Sequence, residues 1–130
     1  MRALAVLFAA LLLSVASCGE KESADDAAAR AAKTYYEHLM SGRYEEFLAG
    51  VSGTDSLPAA YREQLLTNVR QFAGQQKTEH GGICGVDIAS FKVDSVAGYT
   101  NVFLIVTFGD SLREEVAVPM VESGGRWLMK

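Results

Sequence analysis

Cys84, in the run Gly82-Ile83-Cys84-Gly85, is the most reactive side-chain type in the body of this sequence. A thiol acts as a nucleophile or redox group only as the thiolate, which needs a neighbouring cation to lower its pKa. The nearest one in sequence is His80, four residues upstream across two glycines. Without such a neighbour a free cysteine behaves as a small apolar residue and is usually buried, so Cys84 is expected to pack at the start of a strand. His38 and His80 fall in no zinc or haem spacing, because Glu37-His38 lacks a second histidine four residues on; no metal site is expected. Glu114 and Glu115 adjoin in a strand-like segment, so their carboxylates alternate to opposite faces and cannot work as a close pair. The glycines match neither GxGxxG nor GxxxxGK[ST]. No phosphate cradle and no cofactor follow from them.

Cys18 belongs to a different chemistry. Met1-Arg2 gives a short positive start and residues 3–13 (ALAVLFAALLL) are uninterruptedly apolar, about half of the roughly 20 residues a bilayer span requires. That is the layout of a signal peptide, here residues 1–17. Val15-Ala16-Ser17-Cys18 resembles the bacterial lipobox, in which the cysteine is acylated and becomes the first residue of the mature chain. Acylation would change a spanning segment into an anchor, with Cys18 the lipid attachment residue and the membrane its first partner. The competing reading is plain secretory cleavage beside an incidental cysteine. Residues 18–26 then form a polar tether, with Glu20, Glu22, Asp25 and Asp26 against Lys21 alone. This layout predicts a lipid-anchored protein of the bacterial cell envelope, at the outer membrane on its periplasmic side or at the cell surface.

Length and charge bound the rest. One hundred and thirty residues, 49% hydrophobic and 22% charged, suffice for a single small domain. Twelve Lys and Arg against 16 Asp and Glu, a net charge of -4, give no field that would collect polyanions, and nucleic acid is not expected as a partner. Two cysteines cannot build a disulfide framework.

The elements that would position these residues follow from periodicity. Ser23 and Asp26 look like a shortened capping box, and Ala28, Ala32, Tyr35, Tyr36, Leu39 and Met40 form one stripe of a helix that Gly42 ends. Tyr44, Phe47, Leu48 and Val51 repeat the spacing in a short second helix, stopping at 50–53. Ser56 and Pro58 open a third, whose buried stripe is expected to be Tyr61, Leu65, Val69, Phe72 and Ala73, fraying by 74–76. The period then changes to two, and strands are expected at 86–97, 102–108, 112–121 and 126–130. Their connections are short enough only for antiparallel hairpins, hence a meander. The strand at 102–108 is apolar on both faces and belongs in the middle, which leaves an outer face able to pair two copies in a homodimer.

The opening helix running into residues 35–47 (YYEHLMSGRYEEF), with the closing strand 124–129 (GGRWLM), resembles the small lipoprotein members of the nuclear transport factor 2-like, or cystatin-like, superfamily over most of residues 24–130. The resemblance implies an α+β fold in which three N-terminal helices pack on a curved four-stranded antiparallel meander, cone-like, with the domain at 27–130. It also implies a pocket between helices and sheet, lined by Tyr35, Tyr36, Leu39 and Phe72. Some enzymes of this superfamily abstract protons with an acid and a tyrosine, which here would come from Tyr35, Tyr36, Tyr61 or Tyr99 with Asp87, Asp94 or Asp110. No family catalytic motif maps onto these positions. The expectation is therefore a non-enzymatic domain that binds a small apolar ligand or a protein partner, with a proton-transfer isomerase or dehydratase as the alternative.

Overall fold

The structure is a computed structural model and describes residues 24–130. The signal peptide expected at 1–17, Cys18, the expected tether as far as residue 23 and the expected Ser23 cap lie outside the described residues. Three α-helices, α1 (Ala24–Met40), α2 (Tyr44–Ala49) and α3 (Ala59–His80), precede four strands, β1 (Ile83–Asp94), β2 (Tyr99–Phe108), β3 (Arg113–Ser123) and β4 (Arg126–Met129). The first helix thus begins within the stretch read as tether. The strands form one antiparallel sheet in the order β1-β2-β3-β4, the meander expected from its short turns.

Alternation in β2 decides which side of the sheet is the core. Val102, Leu104, Val106 and Phe108 are buried, while Phe103, Ile105 and Thr107 between them are half-buried. The first set faces α1, whose Ala28, Ala29 and Ala32 are almost fully buried with Val102, Leu104, Val118 and Met120. Alanines at these positions let the helix backbone come close to the sheet, and α1 packs most heavily on β1. At its other end α1 turns into α2 through Gly42, which takes a left-handed φ of 78°. A parallel bridge between Val51 and Met129, with Ser52 N–H donating to Met129 O at 2.7 Å, ties the end of α2 to β4 and closes one side of the cone.

Two expectations about α3 are corrected. The helix does not fray at Gly74 but continues to His80, because side chains bridge the glycine: Thr78 Oγ1 donates to Gly74 O at 3.1 Å and Gln75 Nε2 to Glu79 Oε1 at 3.1 Å. It ends where Gly81, at φ 77°, sends its N–H back to Lys77 O. Nor is Tyr61 buried; it is 67% exposed, and Leu66 takes the inward position against α2 and Thr54. Cys84 is a third correction. A register shift between Ile83 and Gly85 leaves it without a cross-strand partner, and its side chain is exposed.

Candidate functional site

The cone is not filled. Between α3 and the concave side of β2 and β3 lies a cavity of about 430 Å³, within the range of small-ligand sites. Tyr36 and Leu39 of α1 and Phe47, Leu48 and Val51 at α2 form its back wall. Leu65, Asn68, Val69 and Phe72 of α3 form a lid at the spacing i, i+3, i+4, i+7, and Ile83, Val106, Phe108, Glu114 and Val116 form the floor. Two of the lining side chains, Asn68 and Glu114, carry strongly polar heads, and both are exposed at its edge. Asn68 Oδ1 already accepts from Gln64 Nε2 at 3.0 Å, which leaves its amide N–H groups to point elsewhere.

Of the four residues expected to line a pocket, Tyr36, Leu39 and Phe72 do so. Tyr35 does not. One residue along a helix turns a side chain by about 100°, and the Tyr35 hydroxyl instead donates to Trp127 O at 2.6 Å while its ring lies on Gly50. Tyr36 packs edge-on against Phe47, with ring centroids 5.7 Å apart, and burial pushes its phenol above the ordinary tyrosine range. Phe72 is 48% exposed because α3 covers the cavity from one side only.

The sequence marks Glu114 only as one of two divergent carboxylates, and the fold sets it at the cavity edge. Its register partner is Val106, on the helix side, whereas Glu115 pairs with Ile105 on the outer face, so the two carboxylates do diverge. The signal for its role was present in the parity of Glu114, Val116, Val118 and Met120, which all face the helices. Asn68 had a comparable signal, adjoining Val69 within the helical stripe.

At the lower end of the lid, His80 Nδ1 meets Asp110 Oδ2 at 2.7 Å, 30 residues away in the β2–β3 turn. Backbone bonds fix that approach: Asp110 N–H donates to His80 O and Gly109 N–H to Gly82 O, each at 2.9 Å. The hydrogen bond that His80 Nδ1–H donates to Asp110 raises the pKa of His80 above its ordinary value and holds Asp110 below the usual carboxylate range. Asp87 and Asp94 lie on strand β1 outside the cavity lining, and Asp94 Oδ1 accepts from Val96 and Ala97 N–H. Among the described residues there is no cluster of three or more His, Cys, Asp or Glu able to hold a metal, and no helix long and apolar enough to cross a membrane.

No family model matches the chain, and no curated protein matches it significantly. A solved structure from Campylobacter jejuni, described as a candidate NTF2-like (nuclear transport factor 2-like) transpeptidase, superposes with a TM-score of 0.61 at 14% identity, covering 77% of this chain and 94% of its own. The fold is NTF2-like. Three helices on an open four-stranded antiparallel sheet are the α+β architecture expected of that superfamily. An NTF2-like cone with an open mouth serves ligand binders and enzymes alike, and at this identity the likeness carries the fold alone.

Proposed function

We propose that the chain is a non-catalytic binding domain, held at a bacterial cell envelope by a lipid on Cys18, whose cavity takes a small apolar ligand with one polar end. The cavity carries this reading. A monomer that needed only a stable core would close α3 onto Val106 and Val116, since each unfilled void forfeits dispersion contacts. Here the space is lined almost wholly by aliphatic and aromatic side chains, with Glu114 and Asn68 at the edge to receive a donor head group. The leader, Val15-Ala16-Ser17-Cys18 and the polar residues behind it support the envelope half of the reading.

The transpeptidase described for the structural neighbour would need an activated nucleophile, and the lining supplies no serine, cysteine, threonine or lysine. The proton-transfer alternative is favoured by one observation, that Tyr36 and Glu114 share a cavity. It requires Glu114 to take a proton from the bound ligand, and binding with no deuterium exchange into that ligand in heavy water would remove it.

Two measurements test the main reading. An environment-sensitive apolar dye should bind at one per chain, and Val69→Trp, which fills the cavity, should weaken it by about tenfold or more, roughly 1.4 kcal/mol, with thermal stability retained. Unchanged affinity would place binding elsewhere. If no small molecule binds or co-purifies, the groove is a site for a protein segment instead. For the anchor, mass spectrometry of detergent-extracted protein should find acylated Cys18 as the first residue. An unmodified N-terminus at another position would end that part of the proposal.

A further inference from the structure

The β1–β2 hairpin exposes apolar side chains that the cavity does not explain. Val96, in the turn, is 98% exposed, and Val93 and Phe91 behind it are 49% and 37% exposed. The turn is stiff rather than loose, because Asp94 Oδ1 accepts from both Val96 N–H and Ala97 N–H, and Gly98 takes a φ of 78°. A single exposed valine would need no explanation, but Val96, Val93 and Phe91 together at one end of the sheet form an apolar surface of the kind that marks a contact.

The direction of α1 says which partner. Its last turn shares a surface with Gly81, Gly82 and Ile83 at the start of β1, and the helix lies along that strand. Seventeen residues of helix rise about 25 Å, the length of seven or eight strand residues, which brings the Ala24 end level with Phe91 and Val93. The chain therefore enters the domain at the hairpin end. Only five residues separate Cys18 from Ala24, and fully extended they reach about 20 Å. A domain tethered that closely presents its entry end to the bilayer.

We infer that the hairpin tip, Val93 to Val96 with Phe91 behind it, docks into the interface of the bilayer that carries the Cys18 lipid, so that one short chain and one apolar tip together fix the domain's orientation. This rests on the lipid-anchor reading above. The surroundings fit an interfacial depth. Tyr99 and Trp127 border the tip, the aromatic types that favour the headgroup region. Lys130 Nζ sits 4.9 Å from the Tyr99 ring centroid, and Lys92 lies on the same stretch of β1, each with a stem long enough to reach outward to headgroups. Glu122 and Asp94 nearby keep net charge low, so insertion rather than electrostatic attraction holds the tip. The cavity mouth, at the opposite end of β1 near Ile83, then faces away from the membrane.

The full-length lipidated protein carrying Trp127→Phe and Val96→Trp should be reconstituted into phosphatidylethanolamine and phosphatidylglycerol vesicles containing brominated acyl chains. Val96 is exposed, so its replacement leaves the fold unchanged. The expected result is co-flotation, with emission blue-shifted and quenched to less than half by the brominated lipid. Co-flotation with unquenched, red emission overturns the docked tip and leaves the anchor standing. A blue shift insensitive to brominated lipid assigns the tip to protein contact and also overturns it. Loss of co-flotation removes the anchor and this proposal together.

Discussion

Tyr35 and Tyr36 are adjacent in sequence, equal in composition and unlike in role, which shows how far residue type alone reaches. Tyr36 lines the cavity; Tyr35 is a strut between α1, Gly50 and β4. The strut makes Gly50 a sharp test. Its φ of -79° suits any residue, so alanine there costs nothing in backbone strain, but the added methyl would be driven into the Tyr35 ring. Gly50→Ala should destabilise the fold by about 1–3 kcal/mol in urea unfolding. Combining it with Tyr35→Leu should cost less than the sum of the two, because the leucine removes the ring that the methyl strikes. Strict additivity would show that the contact does not matter. None of this was legible in the sequence, where Gly50 read only as a helix stop. Cys84 departs from expectation for a related reason: free cysteines are usually buried, but a one-residue register shift, invisible in the strand pattern, leaves this one outside.

Among elements, α3 separates what periodicity fixes from what it leaves open. Its stripe of Leu65, Val69 and Phe72 was readable, but a stripe shows that a face is apolar and not that anything fills the space beneath it. The same sequence spacing serves a packed helix and a lid. What holds this lid is also non-local, since His80 and Asp110 meet only once the β2–β3 turn has formed. The pair gives the lid a pH dependence. Protonated His80 is favoured by Asp110, so its folded pKa lies above the ordinary 6.5; its contribution is complete below pH 6.5 and fades as pH rises through the raised value. Asp110 is depressed below 3.8, so its contribution is present above that value and is lost as pH falls through the lowered one. The attachment is strongest between those limits, with Glu79 and Glu114 adding to the pull on His80. NMR titration should place the His80 pKa above 6.5, and Asp110→Asn should return it toward that value. A His80 pKa indifferent to that substitution would show that the pair does not form in solution.

At the scale of the molecule, the sheet has two faces and the helices occupy one. Fold class was legible because helix periods, turn residues and strand alternation all point the same way. The outer face was legible only as apolar and unassigned. Register now gives its composition: Phe103 and Ile105 lie along the centre, with Asp87 and Glu115 across one row and Lys92 and Arg113 in others. An apolar middle between separated charges of both signs suits a two-fold contact, since rotating a second copy by 180° can set Lys92 and Arg113 against Asp87 and Glu115. The proposed docking of the hairpin would leave this face free, because a tip that meets the bilayer end-on lets the sheet stand out from it. Light scattering of the chain from residue 19, which lacks the anchor, should therefore give about twice the monomer mass at high concentration. Phe103→Glu should return it to monomer with its circular dichroism unchanged, because that side chain is half-exposed and the concave core does not depend on it. A monomer at every concentration would dismiss the pairing and leave the cavity and the hairpin tip as the two proposed contact surfaces.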